Sequence, residues 1–199
     1  MCLNVIKMPG FYGFAADTQV LCKDELGGSR LKYIKFIKEG EKVLSADEEW
    51  YAVSKVAYIN LPTKETIAEV SFDYSKMEFV QVSDNQPVLT YDVDAKTTQY
   101  KLIAEVRVQP KKYMVGIPLK EGTYDHVVKA CFETNVETKR EIVHVYEGEE
   151  IPRNISQMMW SYMDCDDSCK YSGQMYNLIV SGDNNFCVAS LGIVKGLEI

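Results

Sequence analysis

Histidine is scarce in this 199-residue chain, which carries only His126 and His144. Imidazole is the side chain that exchanges protons near neutral pH, so chemistry built on several histidines has little to draw on. Positive charge is also in deficit: 22 Lys and Arg stand against 29 Asp and Glu, a net charge of −7. Phosphate binding needs a basic field, so nucleic acid is excluded as the expected partner. The acidic residues are scattered rather than blocked, which reads as a solvated surface. No apolar run reaches the length of a membrane span. The start, Met1 to Pro9, is too short and too weakly apolar for a signal peptide. An intracellular, cytoplasmic protein is therefore expected. Its six cysteines (Cys2, Cys22, Cys131, Cys165, Cys169 and Cys187) are then expected as free thiols.

Apolar residues make up 46% of the chain and charged ones 26%, enough for one soluble domain with its own core. Residues 1–12 read as a short leader that ends in a Pro9-Gly10 turn signal. Thr18–Lys23 reads as a strand, Asp24–Ser29 as its turn, and Leu31, Ile34 and Ile37 as a short helical or bent segment ended by Gly40. Strands are predicted at Val53–Asn60, stopping at Leu61-Pro62, and at Thr66–Asp73, Met77–Val82, Val88–Asp92, Gln99–Val108 and Tyr113–Pro118. In Gln99–Val108 the alternation of Leu102, Ala104, Val106 and Val108 carries the prediction. Two last strands, Met175–Ser181 and Asn185–Ser190, are joined through Gly182-Asp183. Many short strands with turn signals between them give an all-β domain.

Several stretches share a pattern. Gly13 to Leu21 sets small residues before Asp17-Thr18 and a strand, and Gly40 to Leu44 adds a turn ending Val43-Leu44. Val82 to Thr90, Met175 to Phe186 and Gly192 to Gly196 complete the set. Together these resemble the motifs of the Hint domain, the fold shared by inteins and Hedgehog autoprocessing domains. The resemblance covers about 130 residues, 13–118 and 173–196. It implies an all-β Hint fold with an inserted α+β segment: a leader at 1–12, a Hint-like domain at 13–199 and an insertion at 119–172. Within the insertion, strands are predicted at Val127–Glu133 and Glu141–Tyr146, and a helix at Asn154–Met163 from the spacing of Ile155, Met158, Met159 and Tyr162.

The family reaction needs a Cys, Ser or Thr nucleophile, a Thr-x-x-His motif, a later histidine and a terminal His-Asn pair. The nucleophile acts on the peptide bond just before it, and the asparagine cyclises to cut the chain. Carried over position by position, the nucleophile falls on Gly13 and the Thr-x-x-His motif on Ser83 to Gln86. The later histidine falls on Asn184, and the His-Asn pair on Lys195-Gly196. Glycine has no side chain to attack with or to cyclise, and an amide does not exchange a proton near neutral pH. No catalytic residue is expected. Only 12 residues precede Gly13 and three follow Gly196, so almost nothing is expected to be spliced away. The resemblance still requires Gly13, Gln86, Asn184 and Gly196 to converge at one end of the domain.

Other residues offer weaker chemistry. Cys165 and Cys169, with Cys131 as a possible third ligand, have a spacing that could hold metal, but a solvated acidic loop with two free thiols is the preferred reading. Cys187 or Cys22 could replace the lost nucleophile, although Cys187 sits in a strand pattern that favours a buried thiol. His144 also sits in a strand pattern and reads as structural. Trp160 beside Met158 and Met159 reads as core or as a contact site. If the helix forms, Trp160 and Tyr162 fall on different sides of it and one is expected to be exposed. The expected function is a catalytically inactive Hint-like module that is structural or binds a protein partner, as a possible subunit of a larger assembly. The alternatives are residual self-cleavage through a non-standard nucleophile and a small metal-binding module. No cofactor, membrane or small-molecule substrate is expected.

Overall fold

A computed structural model describes residues 10–72, 79–118 and 158–198. Twelve strands, one short α-helix and one turn of 3-10 helix (Ile34–Phe36, within the short helical or bent segment expected there) form in these segments: β1 (Phe14–Ala15), β2 (Gln19–Lys23), β3 (Ser29–Tyr33), β4 (Lys42–Leu44), β5 (Trp50–Phe72), β6 (Val80–Val82), β7 (Pro87–Asp92), β8 (Thr97–Leu102), α1 (Ile103–Val108), β9 (Tyr113–Pro118), β10 (Met158–Val180), β11 (Asn185–Val188) and β12 (Gly192–Lys195). The strands join in the order β11-β12-β7-β9-β10-β1-β6-β5-β4-β2-β3, with β8 beside β7. Every described pairing is antiparallel. The expected all-β class is what the chain adopts.

The frame of the domain is a ribbon of β5 and β10, each 23 residues long. Pairing runs from Val180↔Val53 to Met163↔Phe72. β5 does not stop at Leu61-Pro62 as predicted. The register passes from Leu61↔Gly173 to Glu65↔Tyr171, so more residues lie on β5 than on β10 there. Proline lacks the N–H of a regular ladder and is accommodated at such an irregularity. The side chains of the ribbon and its neighbours close over a core that includes Phe14, Leu21, Ile34, Leu44, Leu178 and Phe186, all fully buried.

Further predictions give way. Gln99–Val108 is not one strand, because β8 ends at Leu102 and α1 begins at Ile103. Ile103 and Val106, three apart, are buried, whereas Leu102 and Val108 are exposed. Glu105 reaches back to accept the Leu102 N–H at 2.9 Å, which satisfies one free donor at the helix start. The helix predicted at Asn154–Met163 is also overturned over its described part, since Met158–Met163 begins β10. Met158, Trp160 and Tyr162 sit opposite Pro118, Gly116 and Met114 of β9. Trp160 is 1% exposed and packs with Tyr91 and Met114, and Tyr162 packs partly buried on the same cluster. On a strand, residues two apart share a face, so the opposite faces expected for Trp160 and Tyr162 do not arise. Gly116 is needed here: a Cβ on it would lie 2.8 Å from the Trp160 ring. The expected acidic loop of Asp164 to Asp167 likewise lies within β10. The remainder of the predicted insertion, including its two strands, His126 and His144, lies outside the described residues.

Candidate functional site

β1 is a two-residue strand wedged between β6 and β10: Phe14 faces Val82 on one side and Tyr176 on the other. This places Gly13 against the loop that follows β6. The Gly13 N–H donates to Ser83 Oγ at 2.8 Å, and the Ser83 N–H donates to the Gly13 carbonyl at 2.9 Å. The loop turns tightly, with the Gln86 N–H on the Ser83 carbonyl at 3.0 Å. Helix α1 braces it from behind. The Ile103 and Ala104 N–H groups donate to the carbonyls of Gln86 and Asp84, and Arg107 pairs with Asp84 at 2.7 Å.

At the centre lies a pair of buried amides. Asn177, fully buried on β10, donates from Nδ2 to the Tyr12 carbonyl at 2.9 Å and to Gln86 Oε1 at 3.1 Å. Its Oδ1 accepts the Leu178 N–H at 2.7 Å. Gln86, also fully buried, donates from Nε2 to the carbonyls of Lys195 at 2.9 Å and Pro87 at 3.0 Å. The end of the chain completes the ring. Gly196 donates its N–H to the Asn184 carbonyl at 2.7 Å, and its own carbonyl accepts the Tyr12 hydroxyl at 3.0 Å. Asn184 spans the turn after β10: Oδ1 accepts the Val180 N–H at 2.9 Å, and Nδ2 donates to the Leu197 carbonyl at 3.1 Å.

Gly13, Ser83, Gln86, Asn184, Lys195 and Gly196 therefore meet in one place, with segments up to 184 residues apart brought into direct contact. Lys195 joins through its backbone, while its ammonium leaves the site, donating to the Asp183 carbonyl at 3.1 Å over the Tyr100 ring. Burial, and then the Asp183 charge, push that phenol up to about 12.

The fold also has counterparts among solved structures, although no family model and no curated protein sequence matches the chain. A DnaB intein from Synechocystis sp. PCC 6803 superposes with a TM-score of 0.57 over 94% of this chain and 100% of its own, at 13% identity. A variant of the Ssp DnaB mini-intein gives 0.57 at 15% identity, and a transcription factor IIB Mvu mini-intein gives 0.53 at 12%, each over 94% of this chain and 100% of its own. The chain has the intein fold. At these identities the likeness is one of architecture, and the Hint fold expected from the motifs is the fold adopted.

The Tyr12–Gly13 peptide is gripped at both polar ends, its carbonyl by Asn177 and its N–H by Ser83. Ser83 Oγ accepts the Gly13 N–H and itself donates to the Gly13 carbonyl at 3.3 Å. A Cβ at position 13 would overlap the Tyr176 carbonyl oxygen and stand 3.0 Å from the Phe11 ring. A Cβ at position 196 would overlap Asn184 Oδ1 and stand 2.6 Å from the Leu178 carbonyl oxygen. Both glycines are required by close approach.

Asn177 and Tyr12 were missed in the sequence. The available signal was an amide inside the apolar run Met175–Val180, at a core-facing position two residues from Met175. A buried amide in a strand has partners, and these were Gln86 and Tyr12. Among the described residues, the Cys22 and Cys187 thiols do not enter the site. Cys187 is fully buried on β11 opposite Ile193. Cys22 is fully buried on β2, and burial, then the Glu41 carboxylate, push its thiol up to about 12. Cys165 and Cys169 lie on β10 opposite Val70 and Ile67. Among the described residues, no three His, Cys, Asp or Glu side chains gather as a metal site. Cys2 and Cys131 lie outside those residues.

Proposed function

We propose that this chain is an intein-fold domain whose processing site has become a structural clasp and which serves as a structural or protein-interaction module. One observation carries this reading: the Tyr12–Gly13 peptide is held by Ser83 and Asn177 while the Tyr176 carbonyl fills the space a side chain at position 13 would need. A nucleophile attached there has no room. The groups around it, Gln86, Asn177 and Asn184, are amides that donate and accept without titrating. The arrangement supports binding the two chain segments together over cutting either one.

Intact-mass measurement on the purified full chain tests the reading. The mass is expected to stay unchanged over days with dithiothreitol or hydroxylamine, which trap thioesters and esters. A fragment cut between Tyr12 and Gly13, or after Gly196, would overturn it. Capture of a protein from the native source by the intact domain is the expected positive result for the interaction role.

A further inference from the structure

The β5–β10 ribbon carries a pair of phenols to which the clasp gives no task. Tyr58 and Tyr176 are direct register partners, one on each strand. Residues directly opposite in an antiparallel pair set their side chains next to each other on one face. Here the ring centroids stand 5.7 Å apart and the ring planes are tilted by 31°. Of the four ring pairs among the described residues, only this one joins two phenols. Neither ring is sealed into the core: both residues are half-buried and open to a small solute. The Tyr176 hydroxyl donates to Oε1 of the exposed Gln174, which keeps the phenol oxygen at the surface. Tyr171, the next phenol back along β10, donates instead to the Gln174 carbonyl at 3.0 Å and is in no ring pair among the described residues.

We propose that Tyr58 and Tyr176 form an oxidative cross-linking site, at which a diffusible one-electron oxidant joins the two strands of the ribbon through a dityrosine bond. Each phenol gives one electron to the oxidant and one proton to water. The phenoxyl radicals that result carry unpaired spin on the ring carbons ortho to oxygen. One carbon–carbon bond forms between an ortho carbon of each ring. Each ring then moves its ortho hydrogen to the oxygen and becomes aromatic again. In all, two electrons and two protons leave the protein and both hydroxyls are kept. Two radicals couple only when they meet, and the register of the ribbon makes that meeting intramolecular. The bond ties Tyr58 to Tyr176 across a long stretch of chain, so it holds β5 to β10 even when the fold opens. The site stands whether or not the Tyr12–Gly13 peptide reacts.

Brief illumination of the dilute full chain with tris(bipyridine)ruthenium and persulfate, which takes up the electrons and becomes sulfate, tests this. A product of monomer size, lighter by two hydrogens and showing dityrosine fluorescence, is expected. Digestion should release one linked pair of peptides, carrying Tyr58 and Tyr176. Tyr58→Phe and Tyr176→Phe should each lose that product, whereas Tyr171→Phe should keep it. The linked chain should also unfold at a higher denaturant concentration than the unlinked one, a shift that oxidation of separate phenols does not produce. Mapping of the link is made on the unaltered chain, so it decides the matter even where a variant fails to fold. The inference is wrong if the main link joins any other pair, if links form only between molecules, or if the linked product persists in Tyr58→Phe or Tyr176→Phe. It is equally wrong if no link forms under conditions that dimerise N-acetyl-tyrosinamide.

Discussion

The two halves of the clasp are closed in different ways. At Gly13 the space for a side chain is taken by backbone, the Tyr176 carbonyl, which β1–β10 pairing fixes in place. At Gly196 it is taken first by a side chain, the Asn184 carboxamide, and only then by the Leu178 carbonyl. A side chain can rotate away and a paired strand cannot. The first half is therefore shut by the sheet itself and the second mainly by one residue. An overlap formed by a backbone atom has no local remedy, whereas one formed by a terminal amide has at least a partial one.

The largest effect should come from breaking what the halves share. Asn177→Ala removes the partners of the Tyr12 carbonyl, of Gln86 Oε1 and of the Leu178 N–H together. Buried groups left unpaired cost ~1–3 kcal/mol each, and a loss of about 4 kcal/mol in denaturant unfolding is expected. Gly13→Ala should follow at about 3 kcal/mol, because overpacking against fixed backbone strains the sheet. A loss under about 1 kcal/mol would show that β1 yields and the two halves are equally soft.

Gly196→Ala should cost less, about 2 kcal/mol. Part of that cost should return when Asn184→Gly is added, since Asn184 adopts a φ of 50° that glycine takes readily. A double-mutant cycle should give a coupling of about 1 kcal/mol. Additivity would mean that the Leu178 carbonyl, not Asn184, closes this half. The smallest effect concerns the Tyr12 hydroxyl, which joins the residue before Gly13 directly to the Gly196 carbonyl. Burial chiefly raises its pKa, with the Glu198 N–H working against the shift and the Glu198 charge adding to it. A raised pKa means that the protonated phenol stabilises the fold. That contribution is complete below about pH 10 and is lost as pH rises through the higher folded value. The alkaline decline in melting temperature should be shallower in Tyr12→Phe, and an unchanged slope would place the titration elsewhere.

Much of the clasp was legible because motif frames fix positions rather than chemistry. The run Val82 to Thr90 marks the loop that carries Ser83 and Gln86, and Met175 to Gly196 marks the turn that carries Asn184. What escaped was decided by long-range contacts. Residues 99–108 alternate well enough for a strand, yet Ile103 and Val106 also repeat at three, and docking of the first helical N–H groups onto Asp84 and Gln86 decides for the helix. Residues 154–163 have helical spacing, yet Met158, Trp160 and Tyr162 also repeat at two, and pairing with β9 wins. Asn177 looked like an ordinary strand residue, because nothing local to it names a partner 91 positions away.

The Tyr12 hydroxyl on the Gly196 carbonyl also decides how the domain carries tension. A load applied between Tyr12 and Leu197 falls first on a few isolated contacts, Asn177 to Tyr12 and Asn184 to Leu197 among them. Behind Tyr12 stands only β1, with two residues of pairing to peel. The long β5–β10 ribbon is not reached until those have parted. The domain is built to be compliant at its ends and rigid across its middle, so in a pulling experiment the ends should part at low force before the ribbon bears any of the load.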